Sequence, residues 1–273
     1  MSLSEIYNRW KSFDLGGYTY KVHIGGTKER GAGIHASEIS KCKRLVVYNL
    51  RGEEKKPATG ESRDVGMQRR FDIGHAVHAM LQKEYELMCA WMNAHHGQTV
   101  MTFEAEVKIA PELQAVAAKY ELMSHCDGIL TFWWDGVPYL RVGIEFKTKS
   151  GPEYEKLKRP DDDHMEQTCF YMGALDLPLM FVVYYNKSNS NMTQSEPPWV
   201  FQFDKGLWQK KLQPLFEEAH QHRAAGTLPD REEGQHCGWC PFSHVCKPSA
   251  VRTSFYAPVV HSPGAFRPRT VKT

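Results

Sequence analysis

The 273-residue sequence predicts a mixed α/β fold built around a small sheet. Three observations predict it. A helical hydrophobic pattern fills residues 67–95, a hairpin signal sits between two β-rich runs at 120–134 and 137–147, and a helix-then-strand alternation follows as far as residue 225.

Residues 1–36 are polar and glycine-containing and read as a peripheral N-terminal segment. Ser37 or Ser40 offers a helix cap ahead of Cys42 and the run LVVYNL. Residues 51–66 (RGEEKKPATGESRDVG) read as a charged loop. In the long helix Met67, Phe71, Ile73, Val77, Met80, Leu81, Tyr85 and Met88 recur mostly at three- and four-residue steps. A strand signal at 99–109 precedes the hairpin. Its turn is Asp135-Gly136, a dipeptide in which both residues tolerate φ > 0. Residues 151–162 are polar and read as a loop. Asp162 or Asp163 then caps a helix running to about Leu175. LMFVVYYN is a short apolar strand, 188–198 a Ser/Asn/Pro loop, 199–204 a further strand and 204–225 a long helix. The last stretch, 249–273, is basic and reads as a flexible tail.

Composition narrows the function classes. Lys plus Arg total 34 against 32 Asp plus Glu, so any nucleic-acid surface is a local patch rather than a global charge. No apolar run approaches the ~20 residues of a membrane span. The first residues lack a secretory signal pattern, which points to the cytoplasm and to reduced thiols. No Walker A motif is present, so any unwinding requires a partner protein.

Chemistry concentrates on the hairpin. Asp127 lies on its first strand, and Glu145-Phe146-Lys147 on its second. Alternation puts Glu145 and Lys147 on one face. Two acids and a lysine converging there are costly without a cation, and a divalent metal removes the repulsion. Charged residues on paired strands are more often a solvated face with cross-strand ion pairs. Here, however, the acid interrupts an apolar strand, after Val142-Gly143-Ile144.

The seven cysteines divide in two. Cys89, Cys126 and Cys169 stand alone in apolar contexts and read as small buried side chains. Cys237, Cys240 and Cys246 form C-x2-C-x5-C, and Cys42 stands far upstream. Four thiolates suit either zinc or a [4Fe–4S] cluster.

Further motifs fall in order with these. Gly74 to His78 reads G-x-x-x-H, and Gln167 to Tyr171 reads Q-x-x-x-Y, with both residues on one helix face. In this order the motifs resemble the PD-(D/E)xK nuclease superfamily, its RecB-like branch, and within that the Cas4-type exonucleases with a four-cysteine iron–sulfur cluster. The resemblance spans roughly residues 37–248. No single motif is specific, and the joint order carries the likeness.

The resemblance implies a restriction-endonuclease-like core, with a cluster clamping N- and C-terminal segments together. It implies a metal-dependent DNA exonuclease acting on single-stranded or duplex ends, with a helicase, recombination or adaptation partner. It makes His78, Asp127, Glu145 and the Phe146 carbonyl the ligands of Mn²⁺ or Mg²⁺. Lys147 addresses the attacking water or a phosphate oxygen, and Gln167 and Tyr171 support it. Glu106 is a further acid on the preceding strand. Cys42, Cys237, Cys240 and Cys246 bind the [4Fe–4S] cluster. The competing expectations are a non-catalytic DNA-end binding module of the same fold, and a zinc-bound regulatory protein whose E-x-K is accidental.

Overall fold

The structure is a computed structural model that describes residues 31–56, 65–190 and 199–246, without the side chains of 65–70. The expected N-terminal segment up to residue 30, the middle of the charged 51–66 loop and the basic tail lie outside the described residues. Among the described residues no helix is long and apolar enough to cross a membrane.

The elements are α1 (Lys43–Arg51), α2 (Val65–His96), β1 (Met101–Ile109), α3 (Ala115–Tyr120), β2 (Ser124–Trp134), β3 (Val137–Lys149), α4 (Gly151–Glu155), α5 (Asp162–Leu175), β4 (Leu179–Asn186), β5 (Trp199–Gln202) and α6 (Gln213–Ala224). The strands form one sheet in the order β1-β2-β3-β4-β5. It is mixed. β1 with β2, β2 with β3, and β4 with β5 are antiparallel, while β3 with β4 is parallel across the α5 crossover.

Helices cover both faces. On one, Val77, Leu81 and Cys89 of α2 pack on Met101, Leu130, Ile144, Phe146, Val183 and Tyr185. The buried stripe of α2 is narrower than its sequence periodicity suggests, because Phe71, Ile73 and Met88 remain exposed. On the other face α1, α3, α5 and α6 share a core with Val107, Ile109, Ile129 and Met180. Ile34 and Ala36 are buried in it, and Ile34 bridges to Leu122, so this packing begins ahead of residue 37.

The hairpin turns where expected, with φ of 50° at Asp135 and 74° at Gly136, the left-handed pair that matches strand twist. Elsewhere boundaries move. The strand expected over 120–134 begins at Ser124, because AVAAKY ahead of it forms α3, which Glu121 ends in a left-handed conformation. The expected 151–162 loop contains α4, started by a capping box in which Ser150 and Glu153 satisfy each other's amides. The 204–225 helix is interrupted by a π-helical turn over Trp208–Leu212. That turn buries both Trp208 and Leu212, and Lys211 pairs with the buried Glu166 of α5. Cys42, rather than Ser37 or Ser40, occupies the position that caps α1.

Trp208 lies flat against Gly173 of α5, where a Cβ would come within 2.3 Å of the indole. Helix propensity alone favours Ala over Gly by about 1 kcal/mol in a helix interior. The collision reverses the sign, since overpacking costs about 1–3 kcal/mol. Gly173→Ala is therefore expected to destabilise the protein in urea unfolding, whereas a stabilised variant would show that the indole yields.

Candidate functional site

β3 changes partners midway. Its antiparallel ladder with β2 ends at Gly128–Ile144, while its parallel ladder with β4 continues to Lys149–Asn186. Beyond Ile144 the two hairpin strands diverge, and backbone groups there need other partners. The Asp127 side chain supplies one: its Oδ2 accepts the Phe146 amide at 2.7 Å. Its Oδ1 lies 3.3 Å from His78 Nδ1 on α2. Asp127 thus sits where the hairpin forks, joined to the α2 layer. Phe146 itself is fully buried on that side, its ring 5.9 Å from the His78 ring and 5.6 Å from Tyr85.

Glu145 and Lys147 face the α5 layer. Lys147 Nζ lies 2.8 Å from Glu145 Oε1, and donates to Gln167 Oε1 at 2.7 Å. Gln167 Nε2 donates to Glu145 Oε1 at 3.0 Å and to the Tyr171 hydroxyl at 2.7 Å. The helix spacing of Gln167 and Tyr171 therefore delivers both to the acid–lysine pair. Gln82 of α2 donates to the Asp127 carbonyl at 3.0 Å and to Glu106 Oε1 at 2.9 Å. Glu106 is itself in a left-handed backbone conformation, φ 52°, at the point where the β1–β2 pairing skips from Ala105–Gly128 to Val107–Cys126. Such a conformation costs roughly 1 kcal/mol for a residue with a Cβ, and here it turns the side chain toward Gln82.

Glu145 is only 3% exposed, and its Oε2 has no hydrogen-bond partner. Burial, and then the charge of Asp127, push its pKa up to about 7, against the opposing pull of Lys147 and His78. Burial draws the His78 ring down, but the hydrogen bond and charge of Asp127 outweigh it and leave the ring raised. Burial, reinforced by the Glu145 charge, raises the Tyr171 phenol far above its usual range, so it stays protonated. The fit to a divalent cation is chemical: a buried carboxylate oxygen without a donor, a second carboxylate whose charge acts on it, and an imidazole on the second acid.

The expected residues His78, Asp127, Glu145, Phe146, Lys147, Gln167 and Tyr171 are thus joined in two linked sets, one on each side of the fork. His78 and Asp127 engage each other, while Glu145 is held by Lys147 and Gln167. Among the described residues, the group whose ligand atoms lie within 4.8 Å of one another is Asp161, Asp163 and His164. The run Asp161-Asp-Asp-His164 marks this cluster in the sequence, where only the capping role of Asp162 or Asp163 was read. Asp161 is paired with Lys149, and His164 Nδ1 with the Tyr184 hydroxyl at 2.7 Å.

Cys42, Cys237, Cys240 and Cys246 line a single cavity of about 40 Å³, together with Leu45, Tyr48 and His236. Beneath it lies a small core of Leu45, Tyr48 and Phe242, the two rings 5.2 Å apart. Cys42 caps α1, and its thiol is held by opposing effects: burial raises its pKa, while the amides of Leu45 and Arg44 lower it. Burial first, then the neighbouring thiols, raise that of Cys240. Arg44 reaches Cys246 Sγ at 3.9 Å and the Pro229 carbonyl at 2.8 Å, binding the two chain segments together. Cys89, Cys126 and Cys169 are buried apart from this cavity, as expected.

No family model matches the sequence, and no curated protein matches it. Among solved structures the chain is similar to SSO0001, with a TM-score of 0.46 and 14% identity over 82% of this chain and 88% of that one. It is also similar to LHK-Exo in complex with dAMP, with a TM-score of 0.37 and 16% identity over 71% and 94% of the two chains. For the alkaline exonuclease LHK-Exo from Laribacter hongkongensis the values are 0.38 and 13%, over 72% and 90%. At these identities and scores the overlaps do not bear on function.

The Glu145 carboxyl sets a pH dependence for metal-free protein. A pKa raised from 4.5 to about 7 in the folded state means that the folded form holds the proton more tightly. Stability is then greatest below the unfolded value and falls as pH rises toward about 7, by a few kcal/mol (about 1.4 per unit). Urea unfolding in chelator is expected to show this loss. Glu145→Gln should flatten it and be the more stable protein at pH 8, and an unchanged profile would contradict the burial of an ionisable acid.

Proposed function

We propose that this chain is a metal-dependent DNA exonuclease of the PD-(D/E)xK kind, with a restriction-endonuclease-like core and Cas4-like in character. One observation carries the reading: the buried Glu145 carboxylate, one oxygen without a partner and the other held by Lys147 and Gln167, at the point where the hairpin opens beside Asp127. Glu166 also keeps an oxygen without a partner beside Lys211, but at Glu145 the charge of a second acid, Asp127, acts as well, and a cation would offset both.

His78, Asp127, Glu145 and the Phe146 carbonyl would hold Mn²⁺ or Mg²⁺. Bound there, the metal supplies charge stabilisation to the phosphorus centre and lowers the pKa of water. The chain's own groups do the rest. Lys147, steered by Gln167, presents its ammonium to a non-bridging phosphate oxygen or to the attacking water. The protonated Tyr171 hydroxyl orients Gln167 from behind. Gln82 steadies the Asp127 backbone and Glu106 on the α2 side.

What supports a [4Fe–4S] cluster is that all four thiols line one cavity, one from the start of α1 and three from the C-terminal segment. Such a group would tie α1 to that segment. The substrate is DNA with free single-stranded or duplex ends, and a helicase, recombination or adaptation protein would supply such ends.

On end-labelled DNA with Mn²⁺, the native protein is expected to release nucleotides. Glu145→Ala and Lys147→Ala should each lower the rate at least about a hundredfold with melting temperature little reduced. Full activity in both variants would refute the assignment. Anaerobically purified protein is expected to be brown and to contain iron, and Cys42→Ser to lose it. A colourless protein with stoichiometric zinc would refute the cluster.

A further inference from the structure

His164 lies one helical turn before Gln167 on α5, and both it and Tyr171 follow the face that meets the sheet. Beneath it is Tyr184 of β4, which pairs with Lys147 in the parallel β3–β4 register. Residues in register share a sheet face, so the Tyr184 ring and the Lys147 side chain stand next to each other. His164 rests on that ring, 5.7 Å between centroids, with Nδ1 2.7 Å from the hydroxyl. It is thereby placed beside Lys147, outside the two linked sets described above.

Two groups approach Nδ1: the Tyr184 hydroxyl at 2.7 Å and the Asp161 carboxylate at 3.6 Å. Tyr184 Oη accepts the Asp161 amide at 3.3 Å, and its own proton has His164 Nδ1 as the acceptor at hand. Burial, and the positive charge of Lys147 after it, push the His164 pKa down to about 4, against the opposing charges of Asp163 and Asp161. A neutral ring with Nδ1 accepting carries its proton on Nε2. That nitrogen has no partner among the described residues, and the side chain retains 16% exposure. In the form with Nδ1 accepting from Tyr184, the ring is an uncharged donor beside Lys147, the cation that addresses phosphate.

We infer that His164 binds the DNA strand, its Nε2–H donating to an oxygen of a phosphate next to the scissile one. The inference rests on the nuclease reading above and adds a substrate contact to it. An uncharged donor suits this place. It grips a phosphate without adding a second cation that would compete with Lys147 for Glu145.

Two substitutions separate this role from mere support of Tyr184. His164→Asn keeps an acceptor near Nδ1 and loses the outer donor. His164→Gln places an amide donor near Nε2 and loses the inner acceptor. With folding verified by melting temperature, His164→Phe and His164→Asn are expected to lower kcat/KM roughly ten- to hundredfold, the worth of a hydrogen bond to a charged group. His164→Gln should retain most of the activity.

Oligonucleotides bearing one neutral methylphosphonate, stepped along the strand, supply a readout that support alone would not move. The native protein should lose about tenfold at one flanking position, and His164→Phe should show no loss there. Rescue by Asn but not Gln, or the same positional pattern in native and Phe proteins, would overturn the role of His164 alone. No metal-dependent cleavage by the native protein would instead overturn the nuclease reading beneath it.

Discussion

The exchange of partners along β3 governs this molecule. The strand is antiparallel to β2 up to Ile144 and parallel to β4 from Val142 to Lys149, so beyond Ile144 its β2-side edge has lost its strand partner. The parting exposes main-chain groups inside a protein, where each unmet one costs as much as a lost hydrogen bond. Asp127 resolves this by substituting its carboxylate for a missing strand, accepting the Phe146 amide. A charge is thereby fixed at the fork by a backbone requirement. Once it is there, α2 must bring His78 and Gln82 to meet it.

The second acid follows from the first. Alternation along β3 sends Phe146 into the α2 core and Glu145 toward α5, so adjacent residues serve opposite layers. An ionised carboxylate in such a place would usually give up its charge. Lys147 and Gln167 offset part of the cost at one oxygen only. The same low-dielectric surroundings that make the acid expensive would strengthen its hold on a cation. On the α2 side Phe146 packs with Tyr85, which packs in turn with Phe103.

What the sequence revealed was whatever depends on local rules. Asp135-Gly136 dictates its own turn by backbone freedom, and two-residue alternation places Glu145 with Lys147. Four-residue helical spacing likewise places Gln167 with Tyr171. The strand exchange was not legible, because a register is decided between strands and leaves no mark in either one. The role of Gln82 followed the same logic: a lone amide on a helix says nothing until a bare carbonyl is set against it. The π-helical turn at Trp208 goes with tertiary packing, the indole lying against Gly173 of α5, which no local pattern announces. His164 is not legible in the sequence because its meaning comes from Tyr184, twenty residues on in the chain.

The cysteine cavity joins the beginning of the chain to its end. Cys42 opens α1, while the other three thiols lie roughly two hundred residues later, and closing a loop of that length carries an entropic cost that grows only slowly with length. During synthesis the first thiol leaves the ribosome long before its companions exist. Everything in between must be synthesised before the four can meet, and once they do, the cavity holds α1 and the C-terminal segment together across the whole sheet.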